Sequence, residues 1–155
     1  MPDETEKLVA DSFEIELDVR IGASRHVVWV MLTMEVDRWW SFRVIELLFP
    51  AAMVIEPRVG GRFYEDAGEG MGALWGTVWD YVPSKLLCLS GPLGMRTPVT
   101  NVLQYELEES GKQTHVKLTH RAIGLMERDT KERYADGLRQ LLDSLKAHCE
   151  ARSTI

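Results

Sequence analysis

Apolar residues recur along this chain with two different periods. Phe13, Ile15, Leu17, Val19 and Ile21 alternate with Glu14, Glu16, Asp18 and Arg20. A period of two predicts a strand with one face on a core and one in water. From Glu127 to Glu150 the period becomes helical. Tyr134, Leu138, Leu141, Leu142, Leu145 and Cys149 trace one face, and Arg128, Lys131, Glu132, Arg139, Asp143 and Lys146 the other. No proline interrupts this stretch, and Asp129 and Thr130 suit a cap or first turn. At 1.5 Å per residue the helix is about 36 Å long. Such a helix cannot bury its stripe alone, so it needs a partner surface. Gly137 lies beside the stripe, where glycine costs roughly 1 kcal/mol relative to alanine. Two readings fit it: close packing of helix on sheet, or room left for a ligand.

The chain between these two stretches predicts the partner. Gly22 ends the first strand. Ser24 is an N-cap for a short amphipathic helix carrying Val27, Val28, Trp29, Met31 and Leu32, and a second helical piece covers Glu35 to Trp40. Residues 41–50 read as part loop and part strand. Strands follow at Ala51–Glu56 and Arg62–Asp66, separated by the turn Pro57–Gly61. Gly68–Gly72 is a hairpin loop. Ala73–Tyr81 is a strand expected to place Trp75, Thr77, Trp79 and Tyr81 on one face. Lys85–Ser90, Val99–Glu108 and Thr114–Ile123 complete the set, with a Gly/Pro-rich loop over Gly91–Pro98 and a tight turn at Ser110–Lys112. Short connections demand antiparallel pairing. The expected fold is therefore α+β: a curved antiparallel sheet of about six to seven strands around one long C-terminal helix, with two short helices after the first strand. The expected organisation is a tail over 1–12, one domain over 13–150 and a short tail over 151–155. A space between sheet and helix is where a small molecule could sit.

Composition narrows the function. With 155 residues the chain fits a single domain with an ample core. Its net charge of −6 and lack of a basic cluster argue against nucleic acid as a partner. Two widely spaced cysteines, Cys88 and Cys149, read as buried thiols in a reducing compartment. Neither a secretory signal nor a membrane span is visible, so no membrane partner is expected and a cytoplasmic location follows by default.

Candidate chemistry is sparse. The Gly68–Gly72 loop joins two strands and precedes no helix, so a dinucleotide site fails on context. His115 and His120 lie five apart on one strand and point to opposite faces. His26 and His148 lie on separate helices, so no metal site is expected. His120 shares the inward parity of Val116 and Leu118. It reads either as a hydrogen-bonded core histidine or as a polar group facing a pocket. Tyr105 has the same two readings. Glu65 and Glu56 read as strand-end charges or as pocket groups. Trp39 and Trp40 are adjacent, and Trp75 and Trp79 share one expected strand face. Such aromatics more often fill a core than bind a ligand, and in this architecture the core is also the wall of the cavity.

The segment Glu56-Pro-Arg-Val-Gly-Gly-Arg-Phe-Tyr-Glu65 resembles a hallmark of the SRPBCC superfamily, in its AHSA1-like branch, named after the heat-shock-protein ATPase activator. Further pieces fit that branch in order: Val27–Thr33, Trp39-Trp40, Trp75–Val78, Tyr105–Glu108, Leu118–Arg121 and Tyr134–Leu142. The resemblance covers about Phe13 to Glu150. It implies a helix-grip fold (START or birch-pollen-allergen type) with an internal cavity. Relatives in the wider superfamily bind lipids, hormones or polyketides, and some cyclise or hydrolyse them. The eukaryotic cochaperone carries an extra N-terminal domain that meets the chaperone. With about a dozen residues ahead of its first strand, this chain is not expected to carry it.

The expected function is binding of a small apolar or amphipathic molecule between sheet and helix, with no catalytic residue and no cofactor. The expected wall comprises Trp40, Phe63, Trp75, Trp79, Leu103, Tyr105, Leu118, Tyr134, Leu138 and Leu141, with His120 as the polar contact. One alternative is a cyclase, dehydratase or hydrolase in the same cavity, with His120 as acid or base and Tyr105 or Glu65 assisting. Another is a protein-interaction module, touching a chaperone or other partner through the acidic face of Glu14, Glu16 and Asp18. A homodimer is compatible with any of the three.

Overall fold

A computed structural model describes residues 8–45 and 50–153. The chain runs β1 (Leu8–Ile21), α1 (Arg25–Thr33), α2 (Val36–Trp39), β2 (Ala52–Ile55), β3 (Arg62–Asp66), β4 (Gly72–Val82), β5 (Leu86–Gly91), β6 (Val99–Ser110), β7 (Gln113–Glu127) and α3 (Thr130–Ser153). Among the described residues the strands form one sheet of seven, in the order β1-β7-β6-β5-β4-β3-β2. Every neighbouring pair is antiparallel. The fold is α+β and of the helix-grip type: the first strand pairs with the last, and α3 lies against the sheet.

Two boundaries differ from expectation. β1 starts at Leu8, five residues ahead of Phe13, because it pairs with β7 as far as Glu127. The segment Leu8–Ser12 (Leu-Val-Ala-Asp-Ser) lacks the alternation that marks the rest of the strand, and pairing with β7 carries it into the sheet. At the other end α3 continues through Ser153. Of the expected tails, residues 1–7 and 154–155 lie outside the described residues, as do 46–49 of the ambiguous stretch.

The parity of β4 is the main correction. Trp75 is buried, whereas Trp79 is 54% exposed. Each sits at a register shift. Phe63 pairs with Gly76 and Tyr64 with Leu74, so Trp75 is the extra residue of one bulge. Val78 pairs with Leu89 and Asp80 with Cys88, so Trp79 is the extra residue of another. The bulge at Trp75 inserts a residue and turns the following side chains over, so Val78 faces in and Trp79 out. The bulge at Trp79 turns them back, so Tyr81 packs on the core again. Val78 then takes the core position that simple alternation assigned to Trp79.

Local chemistry fixes the helices. Ser24 Oγ accepts from the Val27 amide at 3.2 Å, capping α1. The Trp39 indole donates to the Met31 carbonyl at 2.8 Å and ties α2 onto α1. α3 is fastened to the free edge of β1. Arg139 donates to the Asp18 carbonyl at 2.9 Å, Lys146 to the Arg20 carbonyl at 2.7 Å, and the Gly22 amide to Glu150 at 2.8 Å. These bonds satisfy edge groups that would otherwise invite another strand. Arg152 pairs with Glu35, joining the end of α3 to the α1–α2 corner and holding the Glu35 carboxyl below its usual range.

The bulges make a direct prediction. Trp75→Ala removes a buried ring and should cost about 3–5 kcal/mol. Trp79→Ala should cost at most about 1 kcal/mol. Urea unfolding of the two variants checks this, and equal losses would contradict the register.

Candidate functional site

The N-terminal half of α3 stands off the sheet and leaves a cavity of about 250 Å³, partly open to solvent. Strands β6 and β7 supply its floor. Leu103 and His120 are opposite each other in the ladder, so both side chains rise from the same face. Tyr134, Gly137, Leu138 and Leu141 form the helical wall. Trp75 enters from β4 through its bulge. The chain just after α2 (Trp40, Phe42, Arg43, Val44) closes one side, and Leu93 and Gly94 close another.

Of the residues expected from sequence, the structure brings Trp40, Trp75, Leu103, His120, Tyr134, Leu138 and Leu141 to the cavity. Phe63, Tyr105 and Leu118 are buried behind the wall. Phe63 packs on Trp40 with ring centroids 4.9 Å apart, and Tyr105 packs on Trp39 at 6.4 Å. Trp79 lies away from the cavity, turned out by the bulge at Trp75. Phe42, Arg43 and Val44 were missed because their segment lacks periodicity. Leu93 and Gly94 were missed because they sit in a Gly/Pro-rich loop. Gly137 did carry a signal. A Cβ there would lie 3.4 Å from the Phe42 ring, an ordinary van der Waals contact, so the helix at Gly137 faces an aromatic of the post-α2 segment beside the cavity.

Two buried polar side chains hold the wall. Glu65 accepts from the Trp75 indole at 2.8 Å, from the Ile45 amide at 3.1 Å and from the Val44 amide. It ties the post-α2 segment to β4. Arg43 reinforces that segment by donating to the carbonyls of Trp40, Phe42 and Ala51 and to Asp37. Asn101 does the same for the opposite wall. Its amide nitrogen donates to the Pro92 carbonyl at 3.2 Å and faces Met95 Sδ at 3.6 Å. Tyr134 donates to the Leu93 carbonyl at 2.6 Å, and the Leu93 amide to the Trp75 carbonyl at 2.8 Å. Gly94 has φ +80°, and a Cβ there would lie 2.7 Å from the Trp75 ring, so only glycine lets this loop lie on the indole.

The Asn101 orientation assigns the His120 tautomer. With its nitrogen committed to Pro92, Asn101 presents Oδ1 to His120 Nε2 at 2.8 Å. Nε2 therefore carries the proton, and Nδ1 is left as an acceptor. Burial pushes the imidazole down to about 4, so it is neutral at pH 7. Burial pushes the Tyr134 phenol up to about 12 and the Tyr105 phenol higher still. Glu56 has no place in the cavity. It binds Arg62 at 2.8 Å, which holds its carboxyl down at about 2. His115 faces outward and meets Asp18 at 2.7 Å. Cys88 and Cys149 are buried free thiols, and burial pushes Cys149 up to about 12. Among the described residues no cluster of three or more His, Cys, Asp or Glu could hold a metal ion. Nor is any helix there long and apolar enough to cross a membrane.

A pH dependence follows. An unfolded histidine titrates near 6.5, and the folded one near 4. The folded state thus binds fewer protons between these values. Its stability is complete above about pH 6.5 and falls as pH drops towards 4, by roughly 1.4 kcal/mol per pH unit. The stability difference between the parent and His120→Gln should shrink by about 2–3 kcal/mol from pH 7 to pH 4.5. Urea titrations at both pH values measure it, and a constant difference would contradict a buried neutral histidine.

Comparison with known proteins agrees with this architecture. The family model for Activator of Hsp90 ATPase homolog 1-like protein matches residues 22–150. A search of curated proteins found no match. Several solved structures share the fold. Mll3558 from Rhizobium loti is 25% identical with a TM-score of 0.62, covering 90% of this chain and 97% of that one. An uncharacterized protein from Rhizobium leguminosarum is 17% identical with a TM-score of 0.67, covering 93% and 98%. Protein CV1439 from Chromobacterium violaceum is 16% identical with a TM-score of 0.64, covering 88% and 96%. With the family match spanning most of the chain and the helix-grip sheet closed on α3, the chain belongs to the Activator of Hsp90 ATPase homolog 1-like family of the SRPBCC superfamily.

Proposed function

We propose that the protein binds a small apolar or amphipathic molecule in the cavity between sheet and α3, without converting it. The observation that carries this reading is a partly open chamber of about 250 Å³ walled by Trp40, Trp75, Leu103, Tyr134, Leu138 and Leu141. An apolar cavity of about 150 Å³ already accepts benzene. This one suits a molecule somewhat larger than one aromatic ring. Transfer of apolar surface from water drives binding at roughly 25 cal/mol per Å². The walls are pinned by Glu65, Arg43 and Asn101, so little order has to be created on binding.

Binding is favoured over catalysis by what the wall contains. Among the described residues lining it there is no serine, threonine, cysteine or carboxylate. His120 has no nucleophile beside it to activate. Its Nε2 is committed to Asn101. The family's name raises chaperone contact as another role, but the cavity is the feature with a definite geometry. The two buried thiols suit a reducing compartment, which supports a cytoplasmic setting.

Leu138→Trp tests the reading. Leu138 lies on the cavity wall, so the larger ring should fill the chamber while the helix stays formed. The variant should keep its melting temperature within a few degrees and lose at least about tenfold in affinity for a small aromatic probe, or about 1.4 kcal/mol. A folded variant that binds as the parent does would contradict the site.

A further inference from the structure

Three buried side-chain atoms have no hydrogen-bond partner among the described residues: Trp40 Nε1, Tyr105 Oη and His120 Nδ1. Two of them belong to residues of the cavity wall, Trp40 and His120. They are opposite in kind. An indole N–H can only donate, and Nδ1 of the Nε2–H tautomer can only accept. A buried polar atom left without a partner is costly, and such atoms call for an explanation. We propose that the cavity selects a neutral hydroxylated aromatic molecule. Its hydroxyl donates to His120 Nδ1, and an oxygen of the ligand accepts from Trp40 Nε1. This inference rests on the binding role above and specifies its ligand.

The other ligand classes fit less well. A pure hydrocarbon leaves both atoms unpartnered. A carboxylate satisfies the indole but presents an acceptor to the Nδ1 lone pair, and the two arginines of the wall, Arg43 and Arg133, are already paired with Asp37 and with Glu127 and Asp129. An ammonium group would be desolvated with no carboxylate in the wall to meet it. A neutral hydroxyl group both donates and accepts. The aromatic part follows from the indoles of Trp40 and Trp75 and the ring of Tyr134, which offer faces and edges to a planar guest. Neither orphan atom is exposed to solvent, so engaging them takes a small movement of the wall. The resulting bonds are shielded from water, and such sites discriminate strongly against analogues that lack the hydroxyl.

The test is calorimetric titration of the full chain at pH 7 with three shape-matched probes: 2-naphthol, 2-methylnaphthalene and 2-naphthoate. The expected result is that 2-naphthol binds at least tenfold tighter than either of the others. Trp40→Phe keeps a ring and removes only the donor. His120→Leu removes the acceptor. Each should weaken 2-naphthol at least fivefold while 2-methylnaphthalene stays within about twofold. Should His120→Leu fail to fold, Trp40→Phe carries the comparison. Equal affinity for 2-naphthol and 2-methylnaphthalene would overturn the polar selection and leave the apolar site standing. Tightest binding of 2-naphthoate would overturn it in favour of an anion. Binding of none of the three would overturn both the selection and the site.

Discussion

The apolar face of α3 governs this structure, because a helix of that composition is stable only with the face covered. The cover is not uniform along its length. In the C-terminal half Leu142, Leu145 and Cys149 are fully buried, and polar bonds from Lys146 and Glu150, with Arg139 two turns before Lys146, clamp the helix to the region around the end of β1. In the N-terminal half Tyr134, Gly137, Leu138 and Leu141 face a cavity instead. One end of the helix is an anchor and the other is a wall. The same stripe thus serves both the packing of the fold and the wall of its cavity.

Space inside a protein persists only if its walls resist collapse. Here the resistance comes from buried polar groups. The Glu65 carboxylate gathers the Trp75 indole and two amides of the post-α2 segment. Asn101 joins His120 on the floor to Pro92 in the loop above it. These groups touch no more than the backs and edges of the cavity residues, yet they decide where Trp75, Leu93 and His120 stand. Gly94 serves the same end by letting the Trp75 ring approach the backbone.

Much of this was readable from residues alone. The alternation of β1, β6 and β7 and the stripe of α3 carry strong periods, and the residues they assign inward (Leu103, His120, Leu138, Leu141) do reach the cavity. Trp79 shows where periodicity fails. A bulge adds one residue to one strand and leaves no mark in composition, so the side chains after it change face until a second bulge turns them back. The segment Phe42–Val44 shows a second limit. Its position depends on a carboxylate on β3 some twenty residues later, and no local pattern announces a tertiary hydrogen bond. Gly137 lies between these cases: its oddity was visible, but its partner Phe42 was not.

The central claim is that the chamber against α3 admits a small apolar guest. The most direct measurement is a ¹⁵N-resolved NMR titration of the protein with 2-methylnaphthalene, which reads the backbone amides and the indole N–H signals together. The account predicts saturable shifts confined to the Trp40 and Trp75 indoles and the amides of Gly94, Leu103, His120, Gly137 and Leu138. Shifts that do not saturate, or that map to the outer face of the sheet around Trp79, Ile123 and Leu125, would contradict it.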